Sequence, residues 1–105
     1  MSAHDELAGA VAHEVLLPLM RLRERDGILE TLSSYLELGS IAGVAEQTFR
    51  HRNTIRNRLR LVEEVTGFDL SRPRDTTQLY LALQWLSTAG GSRFRAACDR
   101  GLADV

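Results

Sequence analysis

With 105 residues, 44% hydrophobic and 26% charged, the chain has the size and composition of one soluble globular domain, with little length to spare for a second core. No run approaches the roughly eighteen consecutive apolar residues of a membrane span, the start MSAHDELAGA lacks the basic and apolar regions of a secretory signal, and the lone Cys98 allows neither an internal disulfide nor a paired-cysteine metal knuckle. The net charge of −1 hides an asymmetry: Gln47 to Val62 holds five arginines and no acid, so the remainder of the chain must carry −6.

Helical signals dominate, because β-branched alternation is absent and turn signals recur at helix-like intervals. A first helix is expected over Asp5 to about Leu17, with Leu7, Val11 and Val15 on one stripe and Pro18 ending or kinking it. Arg21 to Arg25 reads as a charged connector or a weak continuation. Asp26 offers an N-cap for a second helix, whose Ile28, Leu29, Leu32, Tyr35 and Leu36 follow i, i+3, i+4 spacing, and Gly39 stands where a left-handed stop belongs. Ser40 supplies the next N-cap, and a short third helix, Ile41 to Thr48, turns Val44 and Ala45 inward. After a break at Phe49 to His51, a fourth helix runs from Arg52 to about Val65. Gly67 ends it, with Phe68 placed to fold back as the apolar contact of a Schellman-type stop. The loop FDLSRPR leads to a fifth helix, Pro73 to Leu86, striped by Leu79, Leu83 and Leu86 and closed by Gly90-Gly91. The tail from Ser92 has the pattern of a short helix capped by that serine, frayed at its outer end. The expectation is an all-α fold of five to six helices. Residues 1–25 form an N-terminal helix and connector, 26–88 a compact domain continuous with them, and 89–105 a tail.

Two short helices joined by a three-residue break, the second of them basic, form the pattern of a helix-turn-helix, here Ile41 to Val65. In such a unit the second helix enters the DNA major groove, so one face must pack and the other must carry cations and amides. At 100° per residue, with Ile55 at zero, Leu59, Val62 and Val65 fall at about 40°, 340° and 280°. Opposite them lie Arg56, Arg60, Asn53 and Asn57 at about 100°, 140°, 160° and 200°. Arginine and asparagine are the residue types that pair bidentately with guanine and adenine edges. Asn53, Arg56, Asn57 and Arg60 are therefore the expected base-reading residues. Arg50, His51, Arg52 and Thr54, at the helix entrance, are the expected phosphate contacts, since the dipole and free N–H groups there favour an anion. Arg58, at about 300°, falls on the packed side and is expected to be a structural arginine, its stem along the core and its head on a carboxylate or helix carbonyls. Glu63 and Glu64 lie on the outer side one turn later, outside a groove entered by the helix N-terminus.

A solvated helix face is usually polar, and arginine is a good helix former. Surface helices normally mix charges, however, because opposite signs at i, i+4 stabilise them. Five like charges with no acid in the window repel one another unless a polyanion relieves them. All thirteen basic residues are arginine, so each cation is a planar fork suited to phosphate or guanine. Competing readings are a protein-interaction module, whose basic face docks an acidic partner or sensor domain, and an enzyme. The second finds no support in a chain without paired catalytic groups, Gly-rich phosphate loop or nucleophile elbow. His4, His13 and His51 lack metal-ligand spacing, so neither metal nor cofactor is expected. Tyr35, Tyr80 and Trp85 lie among leucines and read as core or interface.

Roughly Ile28 to Leu86 resembles the C-terminal helix-turn-helix domain of the PucR family, regulators of purine catabolism and sugar-diacid type. The specific part is HRNTIRNRL, His51 to Leu59, followed by the glutamate pair and TGFDL, Thr66 to Leu70. The resemblance implies a bacterial transcription regulator, cytoplasmic, binding double-stranded DNA, with a homodimer expected from the operator symmetry common among such regulators. Family members usually carry this domain at the end of a longer chain, behind a sensory region, and nothing in these residues resembles one. The chain departs from the family at Thr48 and Arg50, where large apolar residues are usual, at Asn57, usually aromatic, and at Arg72, usually an acidic cap.

Overall fold

Glycines, prolines and short polar side chains decide where this chain turns. A computed structural model describes residues 3–101, with side chains described from Gly9 onward. Among these residues there are six α-helices and no strand: α1 (Ala3–Met20), α2 (Arg25–Leu38), α3 (Ile41–Thr48), α4 (Arg52–Thr66), α5 (Pro73–Leu86) and α6 (Ala89–Asp99). The fold is all-α, as the sequence pattern predicts, and among the described residues no helix is long and apolar enough to cross a membrane.

The middle of the chain follows its punctuation. Gly39 takes φ 74°, which costs glycine little, and its N–H closes α2 on the Tyr35 carbonyl at 2.8 Å. The Ser40 hydroxyl then accepts from the Gly43 N–H at 3.0 Å and starts α3. Gly67 ends α4 with a single bond to the Glu63 carbonyl at 2.9 Å. The Phe68 N–H goes to Thr66 Oγ1 at 3.2 Å instead of a helix carbonyl, so this is a simple left-handed stop and not a Schellman pair; the Phe68 ring still packs half-buried against the core. Pro73 occupies the first turn of α5.

Elsewhere the structure corrects the pattern. Pro18 lies inside α1, which runs two residues further; a missing N–H near a helix end costs one bond, and buried Leu19 and Met20 hold the last turn in place. The buried face of α1 is Ala12, Val15, Leu16 and Leu19, while Val11 is exposed and the side chain of Leu7 lies outside the described residues. The larger apolar surface sits toward the C-terminal half, and the helix rotates to bury it. Glu24, not Asp26, precedes α2, without a side-chain cap bond, and Asp26 sits in the first turn. Gly90 and Gly91 do not end α5. Ser87 and Thr88 separate the helices, the Thr88 hydroxyl caps α6 by accepting from the Gly91 N–H at 3.2 Å, and the glycine pair lies in the first turn of α6. A Cβ on Gly91 would fall on the Leu86 backbone, so glycine here permits close packing of α6 on the end of α5. The predicted frayed end of the tail, residues 102–105, lies outside the described residues.

Every helix contributes to one core. Leu16 and Leu19, Leu32, Val44, Ile55 and Val62, and Leu79 are fully buried, with Phe94 of α6 almost so. Each such side chain contributes about 1.5–3 kcal/mol of burial. Trp85, half-buried, meets Phe94 and His13 with ring centroids 5.7 and 6.1 Å apart, whereas Tyr80 is exposed. An ion pair between Arg25 and Asp99 ties α6 to the start of α2.

Candidate nucleic-acid interface

Helix α4 packs on α1, α2 and α3 through Ile55, Leu59 and Val62, which leaves its opposite face to solvent. The turn before it is tight. Phe49 adopts φ 56°, a region that favours glycine, and stands 95% exposed. The Arg50 N–H bonds back to the Ala45 carbonyl at 3.2 Å. His51 is the N-cap of α4: its Nδ1 accepts the Asn53 N–H at 3.1 Å, and its carbonyl takes the Ile55 N–H at 3.2 Å.

Beyond this cap the sequence-predicted residues are distributed as follows. Asn53, Arg56, Asn57 and Arg60 are all exposed on the outer face. Arg50, His51 and Arg52 are exposed at the helix entrance, and Thr54 is half-buried beside them. Arg56 Nη1 donates to Asn53 Oδ1 at 3.0 Å, which brings two of the outer residues into one unit. Among the described residues no ion pair involves an arginine of this segment. Its positive charge is therefore not paired with a carboxylate among the described residues.

Arg58 points the other way. It is half-buried, and its Nη1 donates to the Gly27 carbonyl at 3.3 Å and to Thr31 Oγ1 at 3.2 Å. The Thr31 hydroxyl, 1% exposed, donates in turn to the same Gly27 carbonyl at 2.9 Å. The guanidinium lies where a side chain at position 27 would begin. One arginine of the basic run thus fastens α4 to α2. Its partners Gly27 and Thr31, thirty-one and twenty-seven residues away, carry no signal in the sequence.

Glu63 departs from its expected place. Its carboxylate accepts the Leu70 N–H at 2.9 Å and is half-buried, so this charge closes the loop after α4. Asp75 accepts the Asp69 N–H at 2.8 Å, and Asp69 accepts both the hydroxyl and the N–H of Ser71, at 2.6 and 2.8 Å. These bonds hold the Asp69 carboxyl below its ordinary pKa, the Ser71 hydroxyl most of all, then the Ser71 N–H, with Arg72 contributing. Only Glu64 of the glutamate pair is exposed.

Comparison with known proteins identifies the family of the chain. The chain is 38% identical over 77 residues to the carbohydrate diacid regulator of Escherichia coli (strain K12), covering 70% of this chain and 20% of that protein. It is 41% identical over 63 residues to the purine catabolism regulatory protein of Bacillus subtilis (strain 168), covering 59% and 12%. An uncharacterized protein of Mycobacterium tuberculosis (strain ATCC 25618 / H37Rv) is 41% identical over 56 residues, covering 52% and 14%. The chain thus spans a fifth or less of the length of these relatives. No solved structure matches it. Residues 28–85, more than half the chain and including the whole of α3 and α4, match the PucR C-terminal helix-turn-helix domain, and the chain belongs to that family of transcription regulators.

Proposed function

We propose that this chain binds double-stranded DNA in a sequence-specific manner, in bacterial transcription regulation, with α4 lying in the major groove. The observation that carries this reading is the outer face of α4: exposed Asn53, Arg56, Asn57 and Arg60, with no acid among them and no carboxylate of the described residues paired to them, behind an entrance of Arg50, His51 and Arg52. The four outer residues read base edges. The entrance residues, with Thr54, hold phosphates. Arg58 takes no part in DNA contact and keeps α4 on α2. Residues 26–88 are the helix-turn-helix domain, one compact unit with 1–25, and 89–105 are its tail. The chain acts by binding and not by catalysis, in the cytoplasm, as a homodimer whose two recognition helices meet half-sites about 34 Å apart. A sensory region within a longer parent chain belongs to the same proposal, because the relatives are at least five times longer than the part matched.

Selection from random duplexes tests the proposal. The expected result is an enriched site, with log K falling against log salt at a slope near −3.6 if about four phosphates are neutralised per monomer, and twice that for a dimer. Equal binding to every duplex would favour the other reading, a module whose basic face docks an acidic protein.

A further inference from the structure

The outer face of α4 contains one bond of its own. Asn53 and Arg56 stand one turn apart, both exposed, and Arg56 Nη1 donates to Asn53 Oδ1 at 3.0 Å. An asparagine that reads adenine presents both halves of its amide, accepting from N6 and donating to N7. Asn53 has already turned its accepting half toward its own helix neighbour. The pair therefore offers a partner mainly N–H groups: the Asn53 amide NH2 and the remaining N–H groups of the guanidinium. In the major groove the edge made only of acceptors is guanine, with N7 and O6, whereas adenine places a donor beside its N7.

The geometry points to a composite reader, in which Asn53 orients Arg56 and the two together select guanine, so that Asn53 is a positioning residue and not a separate adenine contact. This rests on the proposed DNA binding, adds the base preferred at that position, and replaces the separate base-edge contact given above to Asn53 with the orienting of Arg56. A free arginine side chain must be ordered when it docks; the bond to Asn53 performs part of that ordering before DNA arrives.

The test is a selection from random duplexes at one fixed salt concentration, with affinities measured on the enriched site, for the wild type, Asn53→Ala, Arg56→Ala and the double variant. The wild type enriches a guanine that Arg56→Ala randomises. Asn53→Ala keeps that guanine, loses no adenine elsewhere, and weakens binding about three- to tenfold, the span expected for one exposed hydrogen bond. In the Arg56→Ala background the same substitution costs less than about twofold, because the residue it orients is gone. Both side chains are exposed, so melting temperatures stay nearly unchanged, and a merely structural role for Asn53 would move them without touching base identity. Loss of an adenine preference on Asn53→Ala, or an equal penalty in both backgrounds, overturns the composite reader and leaves DNA binding standing. A wild type that enriches no sequence overturns both.

Discussion

Gly27 lies in the first turn of α2, and a methyl group added there would stand 2.9 Å from Arg58 Nη2, 3.0 Å from its Cζ and 3.2 Å from Nη1. Alanine at this position must push the guanidinium away, and with it the bonds to the Gly27 carbonyl and the Thr31 hydroxyl. Hydrogen bonds from a charged donor contribute about 1.5–3 kcal/mol. The Thr31 hydroxyl keeps its own bond to the Gly27 carbonyl, so no buried group is stranded, and the lower end, about 1.5 kcal/mol, is the expected loss. Against this, replacing glycine by alanine in a helix gains up to about 1 kcal/mol. Gly27→Ala should therefore lower the stability of the wild type by about 0.5–1 kcal/mol and raise that of Arg58→Ala by up to about 1 kcal/mol. For a domain of this size that is a fall of roughly 2–8 °C in Tm in one background and a rise in the other. Calorimetry or urea denaturation of the four proteins completes the cycle. Arg56→Ala, a change in solvent, serves as the control and should stay within about 0.5 kcal/mol of wild type. If Gly27→Ala stabilises both backgrounds alike, the guanidinium is not seated over Gly27, and the division of the basic run into inward and outward arginines loses its anchor.

Three other measurements probe the fold around this helix. Phe49→Gly removes the penalty of a left-handed side chain, about 1–2 kcal/mol, at the expense of a more flexible unfolded chain; a net gain of about 0.5–1 kcal/mol in urea unfolding is expected, and a loss would mean the ring contributes to the fold despite its exposure. Gly91→Ala should destabilise by about 1–3 kcal/mol, because the new methyl displaces α6 from the end of α5; an unchanged Tm would contradict the close packing against Leu86. The Asp69 carboxyl has a lowered folded-state pKa, so its stabilisation of the loop is complete above the unfolded value and is lost as pH falls through the lower, folded one. In an NMR titration the Ser71 amide should shift below the ordinary carboxylate range, and Asp69→Asn should abolish the shift; a midpoint at or above that range would refute it.

Much of the fold was legible because its boundaries are local. Gly39, Ser40, Gly67 and Pro73 each act within one turn of their own position, and helices α2 to α5 lie close to where those residues place them. The two faces of α4 were legible for the same reason: an arc of 100° per residue needs no knowledge of the partner helices. What depended on distant chain was hidden. Nothing near Glu63 reveals that it will meet the Leu70 N–H across a turn, and nothing near Thr31 reveals an arginine from α4. The rotation of α1 that exposes Val11 comes from burying Leu16 and Leu19 against other helices, a tertiary preference that a single stripe does not express. Gly90-Gly91 misled because glycine at a helix end and glycine at a close approach look alike in sequence.

The ring of His51 has a chemical consequence at the start of α4. A ring nitrogen that accepts a backbone N–H must be bare, and Nδ1 is that nitrogen. In the neutral imidazole the proton then belongs to Nε2, so the tautomer is set by the helix it caps. The edge of the ring turned away from the helix is a donor, with no net charge required. Asparagine would cap the helix equally well but would end short of that edge, and a doubly protonated ring would hold the outer donor while giving up the inner acceptor.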